Sequence, residues 1–366
     1  MKSSPHSKHF PARELLHWFE QQGRKLPWRE TKNPYAVWIS EIMLQQTRVD
    51  TVIPYFERFI SEFPTVAELA EASRQDLLRC WEGLGYYSRA RNLQDAAREL
   101  VTAHDGKIPA TYEELIRLKG IGPYTAAAIS SISFGEPRAA VDGNVIRVLS
   151  RYFQIEEDIR KSGTRREIQS LADAVLAPER PGDFNQALME LGATVCRPSS
   201  PDCSSCPLKA HCLSYRTAST DRIPYKSKVT PVPHHQIAVG IIFNPENQVL
   251  IALRPEDAML GGLWEFPGGK QTEGETLRQT VDRELREELG ISVSVGEKFM
   301  ELDHAYSHFK ITLHAYLCSV QDSTDTPEPK SSTELRWVEI PQLDKFPFPK
   351  ANRRLTEKLI RRYPAP

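Results

Sequence analysis

The sequence predicts two domains of different class, a mainly α region followed by an α/β domain. Three observations predict this. Apolar residues recur at helical spacing in one segment after another as far as Thr194. A proline- and lysine-rich stretch at 221–235 then has the composition of a semi-rigid linker. From Gln236 the pattern changes to short β-like runs around one strong amphipathic helix. The expected divisions are 1–220, 221–235 and 236–366.

The chain has 366 residues, 40% apolar and 26% charged, enough for two cores and ordinary for a globular protein. It has no apolar run long enough to span a membrane. Met1 to Phe10 is polar and lacks the apolar centre of a signal peptide. A cytoplasmic, monomeric protein with reduced thiols is therefore expected. Net charge is −1. Residues up to Lys228 carry 31 basic and 28 acidic side chains, and the remainder 16 and 20. That asymmetry favours a nucleic-acid partner for the first region.

In chain order, Ala12 to Gln22 is an amphipathic helix stopped by Gly23. Pro27-Trp28-Arg29 is a loop. Asn33 caps, and Pro34 starts, a helix expected to run through Gln45-Gln46-Thr47. It is apolar on nearly all sides and should be buried. Glu41, Gln45 and Arg48 would then share one face, facing a cleft or closing a core ion pair between Glu41 and Arg48. Further helices are expected at Val66–Ala72, Arg74–Trp81 and Ser88–Ala103. Between the last two, Gly83-Leu84-Gly85-Tyr86-Tyr87 is a compact loop with exposed aromatics, able to wedge or stack on bases or simply to cap the local core.

Thr111 to Glu114 is a capping box. Leu118-Lys119-Gly120-Ile121-Gly122-Pro123-Tyr124 is a helix end, a tight glycine turn and a helix start. Its three amides at 120–122 would form an anion nest at a helix N-terminus. Asp142-Gly143-Asn144 precedes another helix, so one of the two polar residues is its cap. A helix over Asn185–Thr194 leads into Cys196, Cys203, Cys206 and Cys212, spaced C-x6-C-x2-C-x5-C. Four thiolates so close can enclose a soft metal centre, iron–sulfur or zinc on chemistry alone. Cys80 and Cys318 are isolated and expected in the core.

Beyond the linker, strands are expected at Ile237–Phe243, Gln248–Leu253, Phe309–Ser319 and Leu335–Ile340. The helix between them is expected over Glu273–Leu289, with Thr272 and Glu275 as capping box and Gly290 as stop. Its Glu284, Glu287 and Glu288 lie off the apolar face. They are either a solvated acidic face or a site for a hard cation such as magnesium.

The hairpin, the Asp142 loop and the four cysteines together resemble the helix-hairpin-helix DNA glycosylases that carry an iron–sulfur cluster. Ser40-Glu41-Ile42-Met43-Leu44-Gln45-Gln46-Thr47 is similar to the MutY-type adenine DNA glycosylase branch, whose layout ends in a MutT-like (Nudix-like) domain. The resemblance implies a six-helix barrel module plus a [4Fe–4S] cluster module held by the four cysteines, with Arg197, Lys209 and His211 near phosphates. The partner it implies is duplex DNA with an adenine opposite 8-oxoguanine or guanine. It implies Glu41 and Asp142 as catalytic carboxylates, supported by Tyr124 and Asn144. Trp28 and Arg29 match the adenine pocket, and Gln46 and Tyr86 match residues that enter the duplex. Thr47 and Leu84 match contacts around 8-oxoguanine, and Gly120 and Gly122 the backbone grip. Tyr124 stands where the bifunctional endonuclease III type carries a Schiff-base lysine, so a monofunctional hydrolase is expected.

For the C-terminal domain, His304 to His308 matches the family's lesion loop, with Tyr306 replacing phenylalanine and Ser307 bonding the lesion. Asn352 resembles the MutT residue that reads oxidised guanine, and Glu334 an auxiliary carboxylate. Gly269, Glu275, Arg283, Glu284, Glu287, Glu288 and Gly290 satisfy the Nudix box G-x5-E-x7-R-E-U-x-E-E-x-G. A magnesium-dependent pyrophosphatase acting on oxidised nucleotides is one expectation. A scaffold that only supports DNA reading is the other, and we favour it.

Overall fold

The structure, a computed structural model, describes residues 10–228, 231–306, 308–321 and 325–364. Ser307 and nearly all of the polar N-terminal stretch lie outside the described residues. Contacts divide the chain into two compact units. One comprises Met1–Glu71 and Asn92–Val229, the other Ala72–Arg91 and Thr230–Pro366. Residues 72–91, which a linear division puts in the first domain, thus cluster with the C-terminal residues.

The chain up to the linker folds into helices α1 (Ala12–Gln22), α2 (Pro34–Met43), α3 (Val49–Glu62), α4 (Val66–Glu71), α5 (Arg74–Trp81), α6 (Ser88–His104), α7 (Tyr112–Leu115), α8 (Pro123–Phe134), α9 (Gly143–Phe153), α10 (Ser162–Val175), α11 (Pro181–Thr194) and α12 (Leu213–Arg216). The α1 and α2 starts, the Asn33 cap on the Tyr35 amide and the Thr111 cap on Glu114 follow the sequence expectation. One core joins α1, α9, α10 and α11 through Leu15, Leu149, Ile168, Phe184 and Leu188. In α2 every residue from Tyr35 to Met43 is buried, as its all-round apolar sequence requires.

Three expectations need correction in this region. Helix α2 ends at Met43, not Thr47. The amides of Gln45 and Thr47 bond three residues back, and Gln46 takes a left-handed φ of 59°. Gln45 and Arg48 therefore leave the helical face of Glu41 but still line one cleft with it, and Arg48 is the N-cap of α3. Of the two tyrosines in the loop after α5 only Tyr86 is exposed, since Tyr87 is buried and its hydroxyl donates to the Phe348 carbonyl at 3.3 Å. In the glycine hairpin the Ile121 amide is consumed by Leu118 O at 3.1 Å, so the nest is smaller than three free amides.

In the second unit, β1 (His234–Phe243), β2 (Gln248–Leu253), β3 (Trp264–Glu265), β4 (Gly268–Lys270), β5 (Val293–Ala305), β6 (Lys310–Val320) and β7 (Glu334–Glu339) form one sheet. The main order is β3-β2-β1-β6-β5, with β4 also on β1 and β7 on β2. The β1–β6 pair is parallel and the other pairs are antiparallel. Helix α13 (Leu277–Leu289) packs on one face through Val281, Leu285 and Leu289. Helix α14 (Lys350–Arg362) packs on the other through Leu355 and Leu359. Both faces of β1 are covered, which is why its sequence is nearly continuous apolar rather than alternating.

Helix α13 starts four residues later than expected, and its capping box is Thr276 with Gln279. Gly274 explains this: at φ 88° it sits in a conformation that no helix can include. Thr272 and Glu275 form a turn before it, with the Thr272 amide donating to Glu275 Oε1 at 2.6 Å. Sequence reasoning missed β5, which is irregular near Lys298, and α14, although Ala351, Leu355 and Leu359 recur at helical spacing among its basic residues.

Candidate active site

The first unit holds a cleft where four separate helices meet. Glu41 lies near the end of α2, and only 5% of it is exposed. Tyr124 is the second residue of α8, directly after the turn-fixing Pro123. Its hydroxyl donates to Glu41 Oε2 at 2.5 Å and lies 3.1 Å from Met189 Sδ on α11. Asp142 is the N-cap of α9, with Oδ1 accepting from the Asn144 and Val145 amides at 2.9 and 2.8 Å. Its Oδ2 accepts from Asn144 Nδ2 at 2.7 Å. The carboxylate is therefore both a helix cap and a wall of the cleft. Sequences two to three residues apart make the cap, but residues about a hundred apart make the site.

Burial pushes the Glu41 carboxyl up to about 7, and the negative charge of Asp142 adds to this against the Tyr124 hydrogen bond and Arg29. Glu41 is thus a carboxyl that holds its proton near neutral pH. Asp142 is also raised by burial, but the Val145 and Asn144 donors and Arg147 pull against it. The α9 N-terminus favours its ionised form as well. Burial, then the nearby carboxylates, hold the Tyr124 phenol far above its ordinary range, so it stays a neutral donor.

The cleft also contains Trp28, Arg29, Gln46, Thr47, Gly120 and Gly122, so most of the residues singled out in the sequence of the first region converge there. Leu84 and Tyr86 belong to the second unit, where Leu84 is buried and Tyr86 is 40% exposed. The expected Glu41–Arg48 ion pair is replaced by the Tyr124 contact, and Arg48 is exposed.

Sequence reasoning missed Arg24 and Glu190, which line the cleft, and Arg147, which bonds the cleft residue Asn144. Glu190 on α11 is 1% exposed and takes Arg24 Nε at 2.6 Å and Arg29 at 2.9 Å. Burial pushes Glu190 up, but the Arg24 hydrogen bond and both guanidinium charges outweigh it, leaving the carboxyl below its ordinary value. A charged residue inside the otherwise apolar run Ala187–Leu191 was the available signal. Arg147 donates to Asn144 Oδ1 at 2.7 Å and to the carbonyls of Gly192 and Cys196 at 2.8 and 2.7 Å.

The four cysteines are free and line one cavity. Burial pushes the Cys206 thiol up to about 12, so a cationic metal centre would be needed to hold it as thiolate. Arg151 is 2% exposed there and donates to Cys196 Sγ at 3.3 Å and to the Arg197 carbonyl at 2.7 Å. A buried cation facing carbonyl oxygens and sulfur fits an anionic thiolate-held centre. Among the described residues no set of three or more His, Cys, Asp or Glu is arranged around a single ion.

In the second unit the acidic side chains of α13 are internally bonded. Arg283 pairs with Glu275, Glu284 and Glu287, and Glu288 accepts from the Gly268 amide at 3.0 Å. Burial, then Glu265, pushes Glu288 up to about 7. Asn352 is buried, with its Oδ1 3.5 Å from the Phe266 amide, and Glu334 pairs with Arg336.

Residues 39–174 match the HhH-GPD superfamily base excision DNA repair protein family, and residues 238–358 match the NUDIX domain. The adenine DNA glycosylase of Rattus norvegicus is 35% identical over 379 residues, covering 89% of this chain and 73% of that protein. That of Buchnera aphidicola subsp. Acyrthosiphon pisum (strain APS) is 33% identical, covering 85% and 87%. Among solved structures, a thermostable thymine-DNA glycosylase is 26% identical with a TM-score of 0.52, over 58% of this chain and 97% of that one. A non-covalent endonuclease III–DNA complex shares the fold at 23% identity and a TM-score of 0.51, over 59% and 99%.

Proposed function

Because the chain belongs to the adenine DNA glycosylase family, we propose that it hydrolyses the N-glycosidic bond of an adenine opposite 8-oxoguanine or guanine in duplex DNA, without cutting the strand. One observation carries this reading: Glu41 and Asp142 face one cleft, burial raising both, with three N–H donors on Asp142 against one phenol on Glu41, and a tyrosine and not a lysine beside them.

The bond is out of reach inside a duplex, so the nucleotide must be flipped into the cleft. Glu41 then donates its proton to a ring nitrogen, which makes adenine a neutral leaving group. The departing base leaves positive charge on the sugar, and ionised Asp142 stabilises it or adds to it covalently. Asn144 and the Val145 amide keep the Asp142 oxygens fixed while that charge develops. Water completes the hydrolysis, with Glu41 now acting as base. Tyr124 orients Glu41, and the Glu190 pair with Arg24 and Arg29 braces the wall of the base pocket. Cys196, Cys203, Cys206 and Cys212 would hold a [4Fe–4S] cluster, which supplies structure to the loop around Arg197 and Lys209.

For the second unit we infer lesion reading, with α13 as scaffold. What supports this is that Arg283 and the Gly268 amide already satisfy its carboxylates. The rival magnesium-dependent pyrophosphatase would need Glu284, Glu287 and Glu288 for the ion. Incubating the full-length protein with 8-oxo-dGTP and magnesium separates the two. Hydrolysis no faster than by Glu287→Gln supports the scaffold.

The main test is a duplex with one adenine opposite 8-oxoguanine, with products compared before and after hot alkali. Free adenine with alkali-dependent breakage is expected. Direct breakage through a borohydride-trapped adduct, or no adenine release, would overturn the reading.

A further inference from the structure

The segment that clusters with the C-terminal residues is more than a packed helix. Glu82, just after α5, takes Arg353 in a bidentate pair at 2.8 and 2.7 Å and caps the Phe348 amide at 2.9 Å. Both side chains are about four-fifths buried. Around this pair, Gln75 bonds Trp264 Nε1 and the Gly262 carbonyl at 3.0 Å each, and Arg91 bonds the Gly261 carbonyl at 2.7 Å. The loop that follows Glu82 is itself held: Trp81 and Arg89 both donate to the Gly85 carbonyl, at 3.2 and 3.1 Å. Arg89 lies between the rings of Trp81 and Tyr86, 5.4 Å from each.

We propose that the Glu82–Arg353 pair is a positioning device that makes the loop 83–87 and the first turn of α14 one rigid element. Arg353 directly follows Asn352, so the pair ties the loop bearing Tyr86 to the turn bearing a candidate lesion reader. Lesion contacts made by the C-terminal fold then fix where Tyr86 stands when the adenine is flipped. A bidentate pair suits this task because it sets angle as well as distance. A partly buried pair broken on one side also leaves an uncompensated charge, so the device is sensitive to single changes. This rests on the function proposed above, specifically on Tyr86 acting at the duplex.

The test uses the full-length protein and the ratio of single-turnover excision rates opposite 8-oxoguanine and opposite guanine. Arg353→Ala, Glu82→Gln, Tyr86→Ala and the Arg353→Ala/Tyr86→Ala double variant are compared. Arg353→Ala and Tyr86→Ala should each lower the ratio about tenfold, and the double variant no further, the signature of two residues acting through one element. In Arg353→Ala the rate opposite guanine at saturating enzyme should hold. Should Arg353→Ala not fold, Arg353→Lys, which keeps the charge but not the fork, should still lower the ratio. An unchanged ratio in the Arg353 and Glu82 variants, with Tyr86→Ala still impaired, overturns the coupling and leaves the function standing. An unchanged ratio in Tyr86→Ala overturns the duplex role of the loop and the coupling with it.

Discussion

At the residue scale, the two carboxylates to which we assign the chemistry differ in their surroundings. Glu41 sits among apolar neighbours on α2, with one neutral phenol as partner. Asp142 is buried too, but three N–H donors converge on it. Asp142→Asn keeps a good helix cap while removing the charge, so DNA binding should persist and single-turnover excision should fall by about 10²-fold or more. Normal turnover would refute the role. For Glu41 the acid form is active, so the excision rate should decline as pH rises through about 7. Rate–pH profiles of the native protein should show that limb, and Glu41→Gln should be nearly inactive at every pH. The same shift has a stability consequence. The folded-state value lies above the unfolded one, so stability from this group is full below the ordinary carboxyl range and lost as pH rises through about 7. Glu41→Gln should thus raise the melting temperature more at pH 8 than at pH 5. Equal effects at both would argue against a buried, proton-holding Glu41.

At the element scale, two turns hold most of the local information. Gly120 has φ 79°, and an added Cβ would lie 2.6 Å from the Asn92 Cβ. Gly122 has an ordinary φ of −92° and open space where a Cβ would be. Gly120→Ala should therefore cost about 1–3 kcal/mol and weaken DNA binding, whereas Gly122→Ala should fold as the native protein does. Denaturant melts and salt-dependent binding curves check the contrast, and equal effects would contradict the hairpin geometry. At the start of α13 the cap is Thr276, held in a reciprocal box with Gln279. Thr276→Ala should cost about 1 kcal/mol and Thr272→Ala distinctly less. The order expected from the sequence alone was the reverse, because a Thr-x-x-Glu string precedes the true cap and only the left-handed Gly274 rules it out.

At the scale of the whole molecule, the units are not consecutive in sequence. Residues 72–91 cluster with Thr230–Pro366 through Gln75, Glu82, Tyr87 and Arg91. A chain cut after residue 228 would remove these bonds, and with them Gly262, where an added Cβ would lie 2.9 Å from the Leu78 side chain. Limited proteolysis should then cut within 72–91 faster in the shortened chain than in the full one. Equal rates would mean that the segment is held by something other than these bonds. Within the first unit, Arg147 spans from Asn144 to the Cys196 carbonyl, so the Asp142 loop and the cysteine loop share one support.

The sequence by itself determined what depends on chain neighbours. The α2 start at Asn33-Pro34, the glycine hairpin, the cap before α9, the tyrosine at 124 and the four cysteines were all legible, because sterics and local hydrogen bonds act over a few residues. Where α2 stops was not legible, since no glycine or proline stands at the point where Gln46 turns left-handed. Only the tertiary structure decided that Glu41 holds its proton, that Glu190 locks Arg24 and Arg29, and that Glu82 belongs to Arg353. Each of those is set by how far a charge is taken out of water and which charge meets it there. Both are fixed by segments distant in sequence and adjacent in space.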